Sequence, residues 1–183
     1  MRHRSRRHIQ EQQLTGYQPL ESLFCVTATY NLDEGRTVPF FSGKVIAVHN
    51  YANRDHVNGP IQNKNNMTLC GRSVDEVDAS RLAVAPCFLP NFLAGPYWVL
   101  GIGQGYKWAV VIGGQPTEQF DDGCTTREDG VYNSGLWLFS RAQVASSEDL
   151  KEMHALLKRQ GVATSRLHSV AQAGCNYTGA YRK

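Results

Sequence analysis

The chain has 183 residues, of which 42% are hydrophobic, a length and composition that suit one domain with a buried core. This composition excludes a disordered chain, and no uninterrupted apolar run approaches the roughly 20 residues that a membrane-spanning helix needs. The net charge of +3 is unevenly placed, because residues 1–8 hold four arginines and no acid while the rest carries 15 basic and 16 acidic residues.

The basic N-terminal octapeptide is of a kind that binds nucleic acid or an anionic membrane surface. No later basic patch with interleaved aromatic residues supports nucleic-acid binding, so we expect none. The interpretation that we favour is a solvated, mobile terminus on a nearly neutral domain. No apolar segment follows the basic start, so we expect no signal peptide in this sequence.

Seven strand-like segments follow, separated by polar or glycine-containing stretches. Many short strands at close spacing predict an antiparallel barrel or sandwich. The segments are residues 25–32, 44–52, 67–74, 81–88, 96–102, 107–113 and 135–141.

Residues 147–160 have the pattern of an amphipathic helix. Ser146 or Ser147 is placed to cap its N-terminus, two acidic residues follow in the first turn, and Gly161 marks its end. Four apolar residues at helical spacing form one stripe. We expect this stripe to pack on the outside of the sheet, with a partner-binding groove as the alternative. The four residues are Leu150, Met153, Leu156 and Leu157.

The glycine-rich stretch at residues 101–105 raises the question of a phosphate-binding loop. A dinucleotide-binding loop needs a third glycine where Tyr106 stands and a helix that begins there. Residues 107–113 continue as a strand instead, so we predict a hairpin turn, where glycine supplies positive φ angles. The sequence also lacks a nucleophile elbow, a P-loop and zinc-ligand spacing, so we expect no catalytic residues and no metal site.

From Cys25 onward the order of the segments resembles the lipocalin family, most closely its apolipoprotein D, bacterial and plant branch. The matching pieces are "CVTATYNL", "GPYWVL", "WAVV" and "GLWLFSR", followed by the helix and "AQAGC". The resemblance implies an all-β fold, an eight-stranded antiparallel up-and-down calycin barrel with one C-terminal helix packed outside. Two family motifs, Gly-x-Trp on the first strand and Thr-Asp-Tyr between the sixth and seventh strands, are absent.

The resemblance also implies a division of the chain. Residues 1–21 would be a basic segment and first loop with an incomplete first strand, residues 22–177 the barrel domain, and residues 178–183 a tail. Arg141 matches the family's third motif, whose arginine packs near the closed end of the barrel.

The five cysteines include no Cys-x-x-Cys pair, which favours disulfides in an oxidising compartment. The resemblance implies a Cys25–Cys175 disulfide that holds the C-terminal segment to the barrel wall. It also places Cys87 and Cys124 together at the open mouth, which leaves Cys70 free. A Cys70–Cys87 bridge is the alternative. An oxidising compartment suggests secretion, and the resemblance, which extends to chloroplast lipocalins, implies the thylakoid lumen as the alternative location.

The resemblance implies a ligand cavity, the calyx, inside the barrel. Eight strands enclose room for one small ligand, and alternate side chains along each strand point inward. An apolar cavity with a few polar groups favours a fatty acid, sterol, retinoid or carotenoid. Side chains that merely fill the barrel are the alternative. The expected ligand contacts are Tyr30, Asn50, Trp98, Leu100, Trp137 and Phe139.

We therefore expect a non-enzymatic binder or carrier of a small hydrophobic ligand, with no cofactor other than a bound lipid or pigment. One alternative is a structural subunit of a larger assembly, for example at the thylakoid membrane. Another is an enzyme of the de-epoxidase or isomerase type. Residues 113–134 form a long connection at the open mouth and, with the basic N-terminus, are the expected surface for a protein or membrane partner.

Overall fold

The computed structural model describes residues 5–13, 23–33, 35–62, 67–75, 77–120, 123–128, 130 and 132–180. These residues form eleven strands and one α-helix, and within them no helix combines the length and apolar character that a membrane crossing requires. The elements are β1 (Ser5–Gln13), β2 (Leu23–Leu32), β3 (Val45–Arg54), β4 (Leu69–Ser73), β5 (Arg81–Pro86), β6 (Gly95–Ile102), β7 (Trp108–Ile112), β8 (Glu118–Phe120), β9 (Gly123–Thr125), β10 (Leu136–Ser140), α1 (Ser147–Arg159) and β11 (His168–Ser169).

Eight of the strands form a closed antiparallel barrel. Their order is β10-β7-β6-β5-β4-β3-β2-β1, and β1 also pairs with β10, which closes the sheet and leaves it without a free edge. The predicted barrel is confirmed, and the seven predicted segments correspond to β2 to β7 and β10. Because β1 is a barrel strand, the barrel begins before residue 22.

Strand β1 contains the last two arginines of the basic N-terminal segment; residues 1–4 lie outside the described part of the chain. Arg7 is buried, and the guanidinium carbon of Arg6 lies 5.0 Å from the centre of the Tyr177 ring. The expectation of a solvated, mobile terminus is therefore wrong for residues 5–8, because backbone pairing with β2 holds them in the barrel wall.

Helix α1 packs its apolar stripe on the outer face of β6, β7 and β10, as predicted. Met153 and Leu157 are fully buried in this contact. The Ser146 side chain caps the helix by accepting a backbone N–H from the first turn. The indole N–H of Trp108 donates to a carboxylate oxygen of Glu152 at 2.8 Å, which ties the helix to β7.

The glycine-rich stretch forms the turn between β6 and β7, and the hairpin prediction is confirmed. Gly105 has φ of +64°, a left-handed conformation that glycine adopts without strain. The N–H of Gly103 donates to the carbonyl of Trp108 at 2.9 Å, so the chain turns directly from one strand into the next. We call the barrel end that carries this turn the closed end.

The C-terminal segment fills a gap between β1 and β2. These strands pair only over residues 5–8 and 27–30, and β1 then continues beside β11. The side-chain amide of Gln172 donates to the carbonyls of Ile9 at 2.7 Å and Val26 at 2.8 Å, bridging the two strands. The predicted Cys25–Cys175 disulfide is confirmed and joins the segment to β2.

The second disulfide joins Cys70 to Cys87, so the predicted Cys87–Cys124 pair is wrong and the alternative is confirmed. Strands β4 and β5 are antiparallel neighbours, which brings the two Cα atoms to 4.9 Å, within the range that a disulfide needs. Cys124 lies instead on β9, whose backbone pairs with Val162 beyond the helix, and its thiol is free and exposed.

Non-reducing peptide mapping is expected to recover the Cys25–Cys175 and Cys70–Cys87 pairs, with Cys124 alkylated in the folded protein. Replacing Cys25 and Cys175 together by serine should lower the free energy of unfolding by up to about 4–5 kcal/mol, the chain-entropy estimate for a loop beyond about 100 residues. Cys124→Ser, the control, should leave the free energy of unfolding unchanged. A recovered Cys87–Cys124 peptide would contradict this assignment.

Candidate functional site

The candidate site is the calyx, the space enclosed by the eight barrel strands. Directly opposed residues of antiparallel strands share a face of the sheet, so strand pairing determines which side chains point inward. An apolar cluster drawn from six barrel strands and the C-terminal segment lines this space. Its buried members are Ile9, Val26, Ala28, Ala52, Ala109, Val111, Phe139 and Val170, with Leu23, Tyr30, Tyr97, Val99 and Trp137 packed against them.

Part of the calyx wall remains accessible. On β5, Leu82 opposes Tyr97 and Val84 follows on the same inner face, yet both are partly exposed. The outward-facing Ala83 and Ala85 are only 6% and 5% exposed, because the β5–β6 loop covers them. A packed interior shows the reverse order of exposure. Accessible apolar surface therefore remains on the calyx face of β5.

Two tyrosine hydroxyls meet across the calyx. Tyr30 on β2 and Tyr97 on β6 are hydrogen-bonded through their hydroxyl oxygens, although three strands separate β2 from β6 in the sheet. The Tyr97 ring stacks on Trp137 with centroids 6.0 Å apart, and Tyr30 meets Phe139 edge-on at 6.5 Å. The result is a continuous aromatic wall with a polar centre.

Burial keeps these tyrosines neutral. It raises the pKa of Tyr30 to about 12 and that of Tyr97 well above its usual value, although the Arg7 charge opposes both shifts. One hydroxyl of the pair donates to the other, so the accepting hydroxyl still has its own proton to donate. The pair therefore presents an O–H donor to the calyx at neutral pH.

Arg7 lies on the inner face of β1 at the closed end. It opposes Ala28 and stands two residues before Ile9, both members of the inner cluster, and it is 8% exposed. Its Nη1 donates to the carbonyl of Tyr106 at 2.6 Å, which also accepts from Nε of Arg141 at 2.9 Å. Burial, and then the charge of Arg141, lower the pKa of Arg7.

Four of the predicted contact residues lie on the calyx side of their strands. Tyr30, Trp137 and Phe139 belong to the inner cluster or pack against it. Asn50 opposes Ala28 on the inner face of β3 and is exposed, which is consistent with open space beside it. Their contact with a ligand stays a prediction.

The placement of Trp98 and Leu100 in the calyx is wrong. Trp98 opposes Ile112, which packs in the outer cluster of the helix, and Leu100 packs there too. The guanidinium of Arg81 covers the outer side of Trp98 at 5.0 Å from a ring centre, in a groove of about 370 Å³. Strand alternation explains the error, because Tyr97 occupies the inward position and Trp98 must therefore point out.

Sequence reasoning missed two polar residues on the calyx face, Arg7 and Tyr97. Arg7 was assigned to a segment outside the barrel. Tyr97 stands next to a second aromatic residue, so composition alone does not tell which of the two faces in. Within the described residues, no three His, Cys, Asp or Glu side chains are grouped to hold a metal ion.

The long connection between β7 and β10 folds back against the barrel and the end of α1. The Gln13 side chain accepts from the Thr125 hydroxyl at 2.5 Å and donates to the Thr126 carbonyl at 2.8 Å. Arg166 pairs with Glu128 at 2.5 Å. The described part of this connection is therefore anchored along the barrel wall, and its role as a partner surface stays a prediction.

The tyrosine pair should make the fold sensitive to alkaline pH. Between about pH 10 and 12 the unfolded chain loses phenolic protons that the folded protein retains, so the free energy of unfolding should fall as pH rises through this window. Urea unfolding at several pH values measures the slope. Replacing both Tyr30 and Tyr97 by Phe should flatten this slope. Tyr106→Phe, which changes an exposed ring, is the control and should leave the slope unchanged. An unchanged slope in the double variant would contradict the argument.

No family model and no curated protein matches the chain, but solved structures do. Lobster apocrustacyanin A1 is 16% identical with a TM-score of 0.62 over 96% of this chain and 81% of its own. Apocrustacyanin C2 is 16% identical over the same shares with a TM-score of 0.61. The allergen Per a 4 from cockroaches is 15% identical with a TM-score of 0.56, over 97% of this chain and 88% of its own. These neighbours are lipocalins, so the chain has the fold of a lipocalin barrel.

Proposed function

We propose that the protein binds a small lipophilic molecule inside the calyx. The observation that carries this proposal is the reversed exposure on β5, where inward-facing Leu82 and Val84 are more exposed than outward-facing Ala83 and Ala85. Apolar side chains that remain accessible within a folded protein gain free energy when a ligand covers them, by about 25 cal/mol per Å² of apolar surface. This accessible apolar surface on the calyx face favours ligand binding there.

The aromatic lining of the calyx favours a rigid apolar ligand that can pack against flat rings. Trp137, Phe139, Tyr30 and Tyr97 offer large faces, and their hydroxyl or indole edges can orient a polar end. A fatty acid, sterol, retinoid or carotenoid would suit such a lining. We propose no catalytic step and no cofactor beyond the bound molecule.

A further structural neighbour supports the proposal by analogy of fold. The siderocalin Ex-FABP, whose published description states that it functions through dual ligand specificities, is 9% identical with a TM-score of 0.52. It covers 94% of this chain and 92% of its own. We infer from the two disulfides that the protein works in an oxidising compartment, and secretion fits them.

Three finer predictions stay predictions. They are the apolipoprotein D branch, the chloroplast location, and a role as a structural subunit or membrane-surface partner. Exposed Phe88 and Phe92 on the β5–β6 loop would suit a partner surface, but nothing on the described chain selects the partner. Ligand binding is the function that the geometry supports.

Titration with retinol should quench the fluorescence of Trp137, the one tryptophan of three that packs against the inner cluster. Trp98 and Trp108 belong to the outer cluster. Trp137→Phe should therefore remove most of the ligand-dependent quenching. Trp98→Phe is the matched control and should retain it.

Retinol, hexadecanol and a carotenoid would each be tested with the folded protein, by fluorescence and by recovery of bound ligand after gel filtration. A saturable signal with one ligand per chain is the expected result. A well-folded protein that binds none of these molecules would overturn the proposal, as would quenching that depends on Trp98 and not on Trp137.

A further inference from the structure

The Arg7 guanidinium is a buried cation without a carboxylate partner in the described part of the chain. Its described surroundings are the Tyr106 carbonyl, which the cation Arg141 also binds, and Tyr30 on the neighbouring strand, two residues beyond the residue opposite Arg7. A buried charge that lacks an opposite charge is costly, so such a site gains free energy when an anion enters. Among the described residues, the hydrogen-bond acceptor that the structure gives to Arg7 is the Tyr106 carbonyl oxygen.

Arg7 has donors to spare. A guanidinium carries five N–H groups. The described hydrogen bonds of Arg7 use one of them, on Nη1, which donates to the Tyr106 carbonyl. Arg141 also donates to the Tyr106 carbonyl, so the turn does not need Arg7 to satisfy this oxygen. From the inner face of β1, Arg7 can therefore bind the turn at the closed end and still offer N–H donors to a ligand in the calyx.

The tyrosine pair adds a second donor on the calyx side. Tyr30 and Tyr97 are hydrogen-bonded to each other, which leaves one hydroxyl proton free. Tyr30 stands two residues after Ala28, the residue that opposes Arg7, so Tyr30 and Arg7 lie diagonally across neighbouring strands on the calyx face. A fixed O–H beside a guanidinium matches the two oxygens of a carboxylate, each of which accepts one or more hydrogen bonds. A neutral alcohol can use only part of this arrangement.

We propose that Arg7, with the Tyr30–Tyr97 hydroxyl pair, forms a carboxylate-binding subsite at the inner end of the calyx. The ligand is then an amphiphile, a long apolar chain or polyene that ends in a carboxylic acid. Its acid group points toward the closed end, and its apolar part lies along Trp137 and Phe139 toward the mouth. This inference rests on the proposed function and narrows its ligand class to acids.

Retinoic acid and retinol share one polyene and differ in their polar end, so they test the subsite directly. At neutral pH and moderate salt, the wild-type protein should bind the acid about ten- to a hundredfold more tightly, as expected for hydrogen bonds to charged groups. Arg7→Met should reduce the ratio of the two affinities to near one. The loss should fall more heavily on the acid than on the alcohol, because the acid makes more hydrogen bonds to the guanidinium.

Arg6→Met is the matched control. It removes the same charge from the next residue of β1, but Arg6 lies over the Tyr177 ring on the other face of the strand. This variant should keep the preference for the acid. Phe at both positions 30 and 97 should lower the preference without changing the net charge, which provides a test that does not depend on the folding of Arg7→Met.

The outcomes separate the two proposals. Equal affinity of the wild-type protein for the acid and the alcohol would overturn the subsite and leave the binding function standing. A preference that persists in both Arg7→Met and the double Phe variant would also overturn it. Failure of both retinoids, and of hexadecanoate and hexadecanol, would overturn the binding function together with the subsite.

Discussion

The pairing of β1 with β10 is the interaction on which the rest of the structure depends. It joins the first barrel strand to the last and so gives the sheet an inside and an outside. Only a closed sheet brings Tyr30 and Tyr97 together, because three strands lie between theirs along the wall. Pairing of β1 with its other neighbour, β2, then places Arg7 opposite Ala28 on the calyx face.

The backbone pairing between β1 and β2 is interrupted, and the C-terminal segment fills the interruption. Strands β1 and β2 share few backbone hydrogen bonds before they separate, and unpaired backbone groups at such a gap are costly. β11 and the side chain of Gln172 satisfy both strands there. The Cys25–Cys175 disulfide joins the same region, so a covalent link stabilises the place where the hydrogen-bonded ladder is interrupted.

Much of the packing that stabilises the fold lies on the outer face of the barrel. The calyx face can therefore keep some apolar side chains accessible. Beneath α1, Val110, Leu136, Leu138, Met153 and Leu157 are all fully buried. Burying side chains of this size contributes about 1.5–3 kcal/mol each. Loops cover the outer side of β3 to β5 in a similar way. This packing offsets the free-energy cost of accessible apolar surface and a buried cation on the calyx face, so the barrel stays folded.

Local patterns in the sequence determined seven of the eight barrel strands, all except β1. They also determined the helix with its cap and apolar stripe, and the turn at residues 101–105. Each of these elements depends on neighbours within a few positions of the chain. Tertiary structure alone decided which side each strand shows to the calyx. A shift of one residue turns a strand over, and this placed Tyr97 inside and Trp98 outside. It also decided that Cys87 meets Cys70, and that Arg7, in a segment whose composition suggested a solvated arm, is buried on the calyx face. These outcomes depend on register and closure between distant segments, which local composition does not encode.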